Sequence, residues 1–458
     1  MQNKFEALRI KHPVFTYEKY EIVNLKDKLL ISFVFRMEED IIFTPSWEFQ
    51  KKHLDINYEQ EDVVNNLAFQ LGMVELISYW KCACSPLVKI KAGYLKEEQI
   101  SWWKMQYFLG LGEFFYTNGI QTDMEAFMQL EVVSNPFESK FNKLEFVKEG
   151  CLIPIGGGKD SIVTLELLGD RKESNLCYMI NKKEASERSA AIAGYKEEEV
   201  LIAQRSLDPR LLTLNKEGYL NGHTPFSAIV AFSSVLQAYL YDKKYVVLSN
   251  EASANESTVE GTLVNHQYSK SYQFESDFIK YEECYIHSGV FYFSLLRPFA
   301  ELQIARFFAK QDKYYDIFRS CNVGSKSGKW CGLCPKCLFV YIILSPFVEP
   351  KQLKQIFGSD MLNDESLIVT FEKLIGLVPE KPFECVGTVD EANTAVCMTI
   401  QKLEANNLRI PKLYEYYKSK NLYHTIKSEE NTYIKYYNEE NQVPAEFLGR
   451  LKALMLNE

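Results

Sequence analysis

One short segment, residues 151–168, constrains the fold more than any other part of the chain. It reads CLIPI, then GGGKDS, then IVTLELL: a short apolar run, a polar loop, and a run with the apolar spacing of a helix. Three consecutive glycines let the backbone turn tightly and approach an anion closely. The loop N–H groups and the positive end of the helix then face that anion. The segment therefore predicts a strand–loop–helix unit that binds phosphate.

The loop has the side chains that a nucleotide triphosphate requires. Lys159 adds a positive charge, Asp160 is suited to hold Mg²⁺ beside a pyrophosphate, and Ser161 can cap the helix or contact a phosphate oxygen. It is not a Walker A loop, because no glycine has the required spacing before Gly158 and an aspartate follows the lysine. The alternative is a plain glycine-rich turn in which Asp160 or Ser161 caps the helix.

The loop resembles the S-G-G-x-D-S motif of the PP-loop ATP pyrophosphatases, the adenine nucleotide α-hydrolase-like enzymes. Gly156 stands where that family usually has serine, which removes one hydroxyl contact. The resemblance implies ATP cleavage between the α and β phosphates, with Mg²⁺ near Asp160. The ATP-binding residues that we predict are Gly156, Gly157, Gly158, Lys159, Asp160, Ser161 and Asn250.

The rest of the chain predicts an α/β protein. Strand-like runs at 174–180, 200–202 and 245–248 alternate with helical runs such as 224–241, which implies a parallel sheet covered on both faces. Earlier, residues 20–34 and 40–44 alternate like strands and residues 62–116 are more helical. The charged segment 138–150 is a plausible boundary, and the chain is helical and charged after Pro346. We predict an N-terminal mixed α/β domain, a parallel-sheet PP-loop ATP pyrophosphatase (HUP-like) core and a C-terminal helical region, at 1–148, 149–347 and 348–458.

Four cysteines in SCNVGSKSGKWCGLCPKC predict a structural zinc site. Two consecutive C-x-x-C steps bring the thiolates of Cys331, Cys334 and Cys337 to one ion. Cys321 can return across the intervening loop as the fourth ligand of that ion. A redox pair or an iron–sulfur cluster is the alternative. The pattern is similar to the four-cysteine site that follows the PP-loop in 7-cyano-7-deazaguanine synthases. The remaining cysteines are most simply interpreted as core or incidental: Cys82, Cys84, Cys151, Cys177, Cys284, Cys385 and Cys397.

A polar segment, residues 248–275, is predicted to line the active site. It follows a strand at the carboxyl edge of the predicted sheet, where ligands bind in open α/β folds, and it mixes acid, amide and imidazole groups. A solvated loop is the alternative. The loop NGHTP, with the more doubtful His223, is a second candidate. The candidates in the segment are Glu251, Ser253, Asn255, Glu256, His266, Lys270 and Glu275.

Composition limits the partners of the protein. A net charge of −9 and a pI near 5.5 argue against a surface built for nucleic acid. The N-terminal residues have no apolar signal run, and no stretch approaches the roughly 20 apolar residues that span a bilayer. Eleven cysteines, an odd number, indicate reduced thiols, metal ligation or burial. We expect a cytoplasmic protein with no membrane or nucleic-acid partner; the oligomeric state stays open.

Seven segments in this order resemble the MurL family, the UDP-N-acetylmuramoyl-L-alanyl-L-glutamate epimerases, over nearly the full chain. The segments are GLGEFFY, PIGGGKDS, NGHTP, LSNEASANE, NHQYSKSYQFE, WCGLCPKC and KPFECVG. The resemblance implies a small-molecule substrate, UDP-MurNAc-L-Ala-L-Glu. It implies that the terminal L-Glu is epimerised to D-Glu in peptidoglycan precursor synthesis, with release of AMP and pyrophosphate.

That reaction explains the need for ATP. An ionised carboxylate makes its neighbouring Cα–H a very poor acid, and an acyl-adenylate removes that charge. A side chain can then take the proton, and reprotonation on the other face inverts the centre. We expect His266 as the first candidate for acid or base, because imidazole exchanges protons near neutral pH, with Lys270 and Glu256 next. Lys270 could equally contact phosphate, and Glu256 could bind Mg²⁺. One-base and two-base routes both stay open.

Two other functions remain possible from the sequence. The first is another PP-loop adenylating enzyme, such as a queuosine-type synthase, an amide ligase or a tRNA-modifying enzyme, although the acidic composition gives the last little support. The second is a non-catalytic nucleotide-binding scaffold stapled by zinc.

Overall fold

The architecture was obtained from a computed structural model. It describes residues 2–135, 146–259, 261–262, 264–321, 323–324, 328–423 and 432–456. These residues form a mixed α/β structure around one large sheet, which confirms the predicted α/β class. Most of the predicted boundary segment, residues 138–145, lies outside the described residues.

The sheet has eleven strands among the described residues, in the order β11-β10-β7-β8-β9-β4-β2-β1-β5-β6, and β3 pairs with β2. The strands are β1 (Val14–Asn24), β2 (Lys28–Arg36), β3 (Ile42–Phe43), β4 (Ser46–Gln50), β5 (Leu87–Ile90), β6 (Gln129–Val132), β7 (Cys151–Pro154), β8 (Leu176–Ile180), β9 (Val200–Ser206), β10 (Tyr245–Leu248) and β11 (Phe291–Ser294).

The half of the sheet that carries the glycine loop is parallel. Strands β9, β8, β7, β10 and β11 lie side by side in that order, and each pair is parallel. In chain order this is the arrangement 3-2-1-4-5, so the direction of winding reverses between β7 and β10. Ligands of doubly wound folds bind at the carboxyl ends of the strands at such a reversal point. The topology therefore places a binding crevice beside the glycine loop.

The other half of the sheet is mixed, and it continues the parallel half without a break. Strand β4 pairs antiparallel with β9, and β2 pairs antiparallel with both β4 and β1. Strand β5 lies inside residues 62–116, which the sequence pattern marks as helical. That expectation was wrong there, because β5 is a four-residue strand whose parallel partner, β1, lies about 70 residues earlier in the chain.

Sixteen α-helices cover the sheet in the described part of the chain. They are α1 (Gln2–Lys11), α2 (Asp62–Trp80), α3 (Glu97–Gly110), α4 (Gly112–Thr117), α5 (Lys159–Leu167), α6 (Glu184–Ile192), α7 (Pro209–Lys216), α8 (Phe226–Leu240), α9 (Tyr272–Tyr281), α10 (Glu301–Phe308), α11 (Pro335–Leu344), α12 (Pro350–Phe357), α13 (Ile368–Leu374), α14 (Val389–Ala405), α15 (Lys412–Ser419) and α16 (Ala445–Leu456). None of the helices that the structure describes combines the length and apolar character needed to cross a bilayer.

Two hydrophobic cores lie on opposite faces of the parallel half. Successive strand residues point to opposite faces, so Leu152 and Val246 belong to the first core while Ile153 and Val247 belong to the second. The first core includes the N-terminal elements and α8; the second includes α10, α11, α14 and α16. The β4–β9 pairing carries the sheet across the boundary predicted at residue 148. The three domain bounds stay a prediction.

Candidate active site

A cavity of about 300 Å³ opens at the reversal point of the sheet. Residues at the ends of β7, β8 and β10 line it, together with residues from α8, the cysteine-rich segment and the loop before α14. Six of the predicted site residues line this cavity: Gly156, Gly158, Asp160, Ser161, Asn250 and Lys270. The fold therefore brings the glycine loop and the polar segment to one place, as the sequence predicts.

One of the three loop glycines, Gly157, is required by its backbone conformation. Gly157 has φ of +79°, a left-handed conformation, and a Cβ there would lie 2.8 Å from Ala185 Cβ. A Cβ on Gly158 would lie 2.6 Å from Ser320 Oγ. Gly156 has no atom within 4 Å of such a Cβ, so the fold leaves room for the serine that the PP-loop family usually has there.

The side chains of Lys159 and Asp160 form a tight ionic cluster with Glu301. Lys159 is buried and pairs with both carboxylates, and it is absent from the cavity lining. Burial disfavours the charge on Lys159, but Asp160 and Glu301 outweigh burial and raise its pKa. Asp160 keeps a third of its side chain exposed and lines the cavity. The carboxylate is thus placed to meet a ligand, and the lysine charge lies behind it.

Much of the polar segment shapes the site without lining it. The side chain of Glu251 caps the short turn 252–255 by accepting a hydrogen bond from Ala254 N at 3.2 Å, and it also accepts from Ser253 Oγ at 3.0 Å. Asn255 Oδ1 accepts from Tyr272 N at 2.8 Å. These side chains fix the backbone of the segment. Asn250 does line the cavity and donates to Ser294 Oγ at 3.1 Å.

A buried ion pair supports the backbone of the polar segment, residues 248–275. Arg297 and Glu275 are almost fully buried and pair at 2.9 Å. The same guanidinium donates to the backbone oxygens of Glu251 and Lys270. Glu275 is therefore a support of the site and not part of the cavity wall.

His266 belongs to a cluster with Glu113 and His223. The Nδ1 atom of His266 hydrogen-bonds Glu113 Oε2, and His223 Nδ1 lies 3.0 Å from the same oxygen. The two imidazole centroids are 4.6 Å apart. Lys81 holds the NGHTP loop through its bond to Thr224 Oγ1 at 2.5 Å. The ligand atoms of the three clustered residues lie within 4.8 Å of one another, and hydrogen bonding to the shared carboxylate accounts for that closeness.

Cys385 connects this cluster to the cavity. Its thiol accepts a hydrogen bond from Lys270 Nζ at 3.0 Å, it hydrogen-bonds the ring of His266, and it lines the cavity. The interpretation of Cys385 as core or incidental was therefore wrong. Burial opposes a charged thiolate, but Lys270, Lys336 and His266 outweigh it and hold the pKa of Cys385 well below its usual value. Burial also opposes a charged His266, yet Cys385 and Glu113 raise its pKa to about 9.

Glu256, in contrast, lies apart from these groups. Its carboxylate pairs with Lys381 Nζ, and it does not line the cavity. The structure thus brings together two of the three predicted acid–base residues, His266 and Lys270, and not the third.

The chain matches two family models: the MurL N-terminal domain over residues 7–295 and the MurL C-terminal domain over residues 317–420. It belongs to the MurL family. Its relatives include proteins named UDP-N-acetyl-alpha-D-muramoyl-L-alanyl-L-glutamate epimerase. The one from Xanthomonas oryzae pv. oryzae (strain MAFF 311018) is 35% identical over 342 residues, which cover 73% of this chain and 74% of the relative. The one from Micromonospora sp. (strain ATCC 39149 / NRRL 15099 / SCC 1413) is 34% identical over 340 residues, which cover 72% and 74%.

A third protein of that name, from Salinispora tropica, is 38% identical over 255 residues, which cover 54% of this chain and 55% of the relative. No solved structure matches the chain at a significant level. As a member of the MurL family, the chain is an isomerase-type enzyme.

The four predicted zinc cysteines of this MurL chain converge. The Sγ atoms of Cys321 and Cys334 are 3.8 Å apart, those of Cys331 and Cys337 are 3.6 Å apart, and all four lie within 4.8 Å of one another. A tetrahedral ion with Zn–S bonds of about 2.3 Å needs sulfurs at about this spacing, so the donor set fits zinc. The cluster adjoins the glycine loop, because Arg319 N donates to Gly157 O at 2.8 Å.

Sequence reasoning missed two residues of this candidate site, Glu113 and Cys385. Both lie in segments that carry the family resemblance, GLGEFFY and KPFECVG. Glu113 lies in α4, in the region predicted as the first domain, and Cys385 lies in the region predicted as the last. Both meet His266, which lies in the predicted central core. The signal was present as a polar residue inside each motif, but only the fold shows that the three segments meet.

Proposed function

We propose that the protein epimerises the terminal L-Glu of UDP-MurNAc-L-Ala-L-Glu to D-Glu, by way of an acyl-adenylate made from ATP, with release of AMP and pyrophosphate. The observation that carries the proposal is a single cavity with the glycine loop at one side and Lys270 and Cys385 at another. A nucleotide can thus activate the substrate carboxyl group while a proton-transfer group acts on the neighbouring Cα. The names of the relatives supply the substrate.

The two parts of the cavity suit the two halves of the reaction. Backbone N–H groups of residues 156–158 and the start of α5 suit the triphosphate. Asp160, which lines the cavity, would hold Mg²⁺, whose chemistry is to neutralise phosphate charge. Lys270 is placed to stabilise negative charge on the activated carboxyl group, and the His266–Glu113 pair holds an exchangeable proton next to it.

The direct test is to incubate the purified protein with Mg-ATP and UDP-MurNAc-L-Ala-L-Glu, and to assay pyrophosphate, AMP and the configuration of the glutamate. We expect pyrophosphate and D-glutamate to appear only with both substrates present. A protein that forms neither is not this epimerase. Pyrophosphate release with another acceptor would instead favour a different adenylating enzyme, and ATP binding without turnover would favour a scaffold.

Asp160→Asn tests the assignment of the loop. We expect it to lower both signals by at least about 100-fold, the scale typical of losing one preorganised electrostatic contact. The matched control is Asp170→Asn, just beyond the other end of α5, where the carboxylate pairs with Arg450 on the surface. The control should retain activity. Full activity in Asp160→Asn would remove the proposed role of the loop aspartate.

We also propose that the four clustered cysteines hold a structural zinc ion that supports the loop. Metal analysis should give one equivalent per chain in the wild type and in Cys397→Ser, whose cysteine lies in α14 away from the cluster. Cys331→Ser should lose the metal and bind ATP more weakly, because Arg319 contacts Gly157 from the same segment. Less than one equivalent in folded wild-type protein, or iron in its place, would contradict the zinc assignment.

A further inference from the structure

We infer that Cys385 is the group that removes the α-proton of the substrate. The inference rests on the proposed epimerase function and deepens it, since it names the residue that acts as the base. Three features of the structure carry it: the position of the thiol, the cations around it, and the cluster behind it.

The position of Cys385 separates it from His266 and Glu256. Lys270 also lines the cavity, but its pKa is raised, so it is a cation and has no free electron pair to take a proton. Cys385 lines the cavity that also contains the glycine loop, whereas His266 does not line it. A group that takes a proton from carbon must touch the substrate. Of the sulfur and imidazole groups gathered here, the thiol is the one that reaches the shared cavity. His266 is accordingly a positioning residue that acts through Cys385.

The surroundings of Cys385 stabilise a thiolate. Lys270 Nζ lies 3.0 Å from Sγ, and Lys336 Nζ donates to the backbone oxygen of the same residue at 2.5 Å. The His266 ring contacts the thiol, and its Nδ1 is held by Glu113 on the other side. Cysteine next to cations and an oriented imidazole is the arrangement that makes a thiol reactive. The lowered pKa of Cys385 agrees with this arrangement.

The proton transfer balances within this cluster. The Cys385 thiolate takes the Cα proton of the adenylated glutamyl group and becomes a thiol. The electron pair of the C–H bond moves into the acyl carbonyl, giving an enolate next to Lys270. The Lys270 ammonium, which also lines the cavity, gives a proton to Cα on the opposite face, and this inverts the centre. The Cys385 thiol then returns a proton to Lys270 across their 3.0 Å hydrogen bond. Cys385 is then a thiolate and Lys270 an ammonium again, with no net change of charge.

The test uses Cys385→Ser in D₂O with Mg-ATP and UDP-MurNAc-L-Ala-L-Glu, and it follows two readouts. Deuterium at Cα reports proton transfer, and substrate-dependent pyrophosphate release reports adenylation. We expect deuterium incorporation to fall by at least about 100-fold, within the range that general bases contribute, while pyrophosphate release persists. The matched control is Cys284→Ser, an exposed cysteine outside the site, which should behave as wild type.

Each alternative outcome overturns a distinct statement. Unchanged deuterium incorporation in Cys385→Ser would remove Cys385 as the base and leave the epimerase function standing. Equal loss of both readouts in a variant that still binds ATP would assign the thiol to adenylation instead. A wild-type protein without pyrophosphate or deuterium would overturn the proposed function and this inference with it.

Two measurements on proteins that retain Cys385 complete the test. In the Cys284→Ser protein, alkylation of Cys385 by iodoacetamide, mapped by peptide mass spectrometry, should abolish deuterium incorporation in proportion to the modification. Complete alkylation with incorporation retained would overturn the inference. Mass spectrometry of intact wild-type protein quenched during turnover should show no acyl adduct, because a thioester on Cys385 would make it a nucleophile and not the base.

Discussion

The protonation of His266 depends on the charged and titratable groups that surround it. Glu113, His223, Cys385 and Glu384 face the ring from three different segments. Burial alone would lower its pKa, but Cys385 and Glu113 outweigh burial and raise it to about 9. A raised pKa means that the ring is protonated at neutral pH and loses its proton as the pH rises through about 9.

The rate of proton transfer should therefore decline at high pH, while the rate of adenylation should not decline with it. We expect deuterium incorporation to fall about tenfold per pH unit above pH 9, because one proton is lost from the imidazolium that stabilises the Cys385 thiolate. A pH profile of both readouts between pH 6 and 10.5 measures this. His266→Gln should lower the rate at all pH values and remove the decline near pH 9. The same decline in that variant would assign it to another group.

Two of the loop glycines, Gly157 and Gly156, make contrasting predictions. Gly157→Ala should destabilise the fold by about 2–4 kcal/mol, since a side chain at positive φ costs about 1–2 kcal/mol and the contact with Ala185 adds an overpacking cost. Gly156→Ser should fold with unchanged stability, because its Cβ meets no atom within 4 Å. Urea unfolding and ATP binding measure both variants. Equal losses in the two would show that the steric difference between these positions is unimportant.

Residue by residue, the sequence predicts best where local chemistry is sufficient. The glycine loop and the cysteine cluster are recognised because their spacing alone defines an anion cradle and a tetrahedral sulfur set. Cys385 shows the limit, because nothing in KPFECVG distinguishes a core thiol from one that contacts Lys270. That lysine lies 115 residues earlier, so only tertiary folding creates the environment.

At the scale of elements, the pair of Arg297 and Glu275 joins α9 to the turn after β11 and fixes the polar segment. Glu275→Gln would leave the Arg297 guanidinium buried without the negative charge of its partner. We expect it to lower the free energy of unfolding by about 3–5 kcal/mol, as for other broken buried pairs, and to weaken substrate-dependent turnover through Lys270. The control, Glu48→Gln, removes an exposed pair with Lys28 and should leave stability unchanged because water screens such charges.

Stability measured by urea unfolding tests the role of this pair. If Glu275→Gln unfolds at the same urea concentration as Glu48→Gln, the buried pair contributes no more than an exposed one. Retained stability with lost turnover would instead place Glu275 in the chemistry of the cavity.

Strands, like individual residues, are predicted well where the local sequence is sufficient. The buried strands β7, β8 and β10 were predicted at nearly their observed positions, because apolar runs between glycine-rich or polar loops have one simple interpretation in an α/β chain. The four-residue strand β5 was missed, since its sequence LVKI is short and its partner β1 is remote. Strands stabilised by distant pairing leave little local signal.

At the scale of the whole molecule, the sheet joins parts that the sequence pattern separates. Strand β4 pairs with β9, and the buried pair of Arg205 and Glu75 ties β9 to α2 at 2.7 Å. The first hydrophobic core likewise contains residues from both sides of position 148. Composition and motifs could not reveal the pairing of β4 with β9, because strands about 150 residues apart carry no sequence signal of each other.

The β4–β9 pairing predicts that the regions on either side of residue 148 unfold together. In a Trp330→Phe variant, fluorescence reports only the N-terminal part, through Trp47, Trp80, Trp102 and Trp103. Circular dichroism reports the helices of the whole chain. Coincident transitions by different probes are the mark of one cooperative unit, and we expect them here in urea. Arg205→Leu leaves Glu75 buried and unpaired, so it should shift both transitions to lower urea together. A fluorescence transition at lower urea, followed by a second step in circular dichroism, would show that the parts on either side of residue 148 are independent despite their shared sheet.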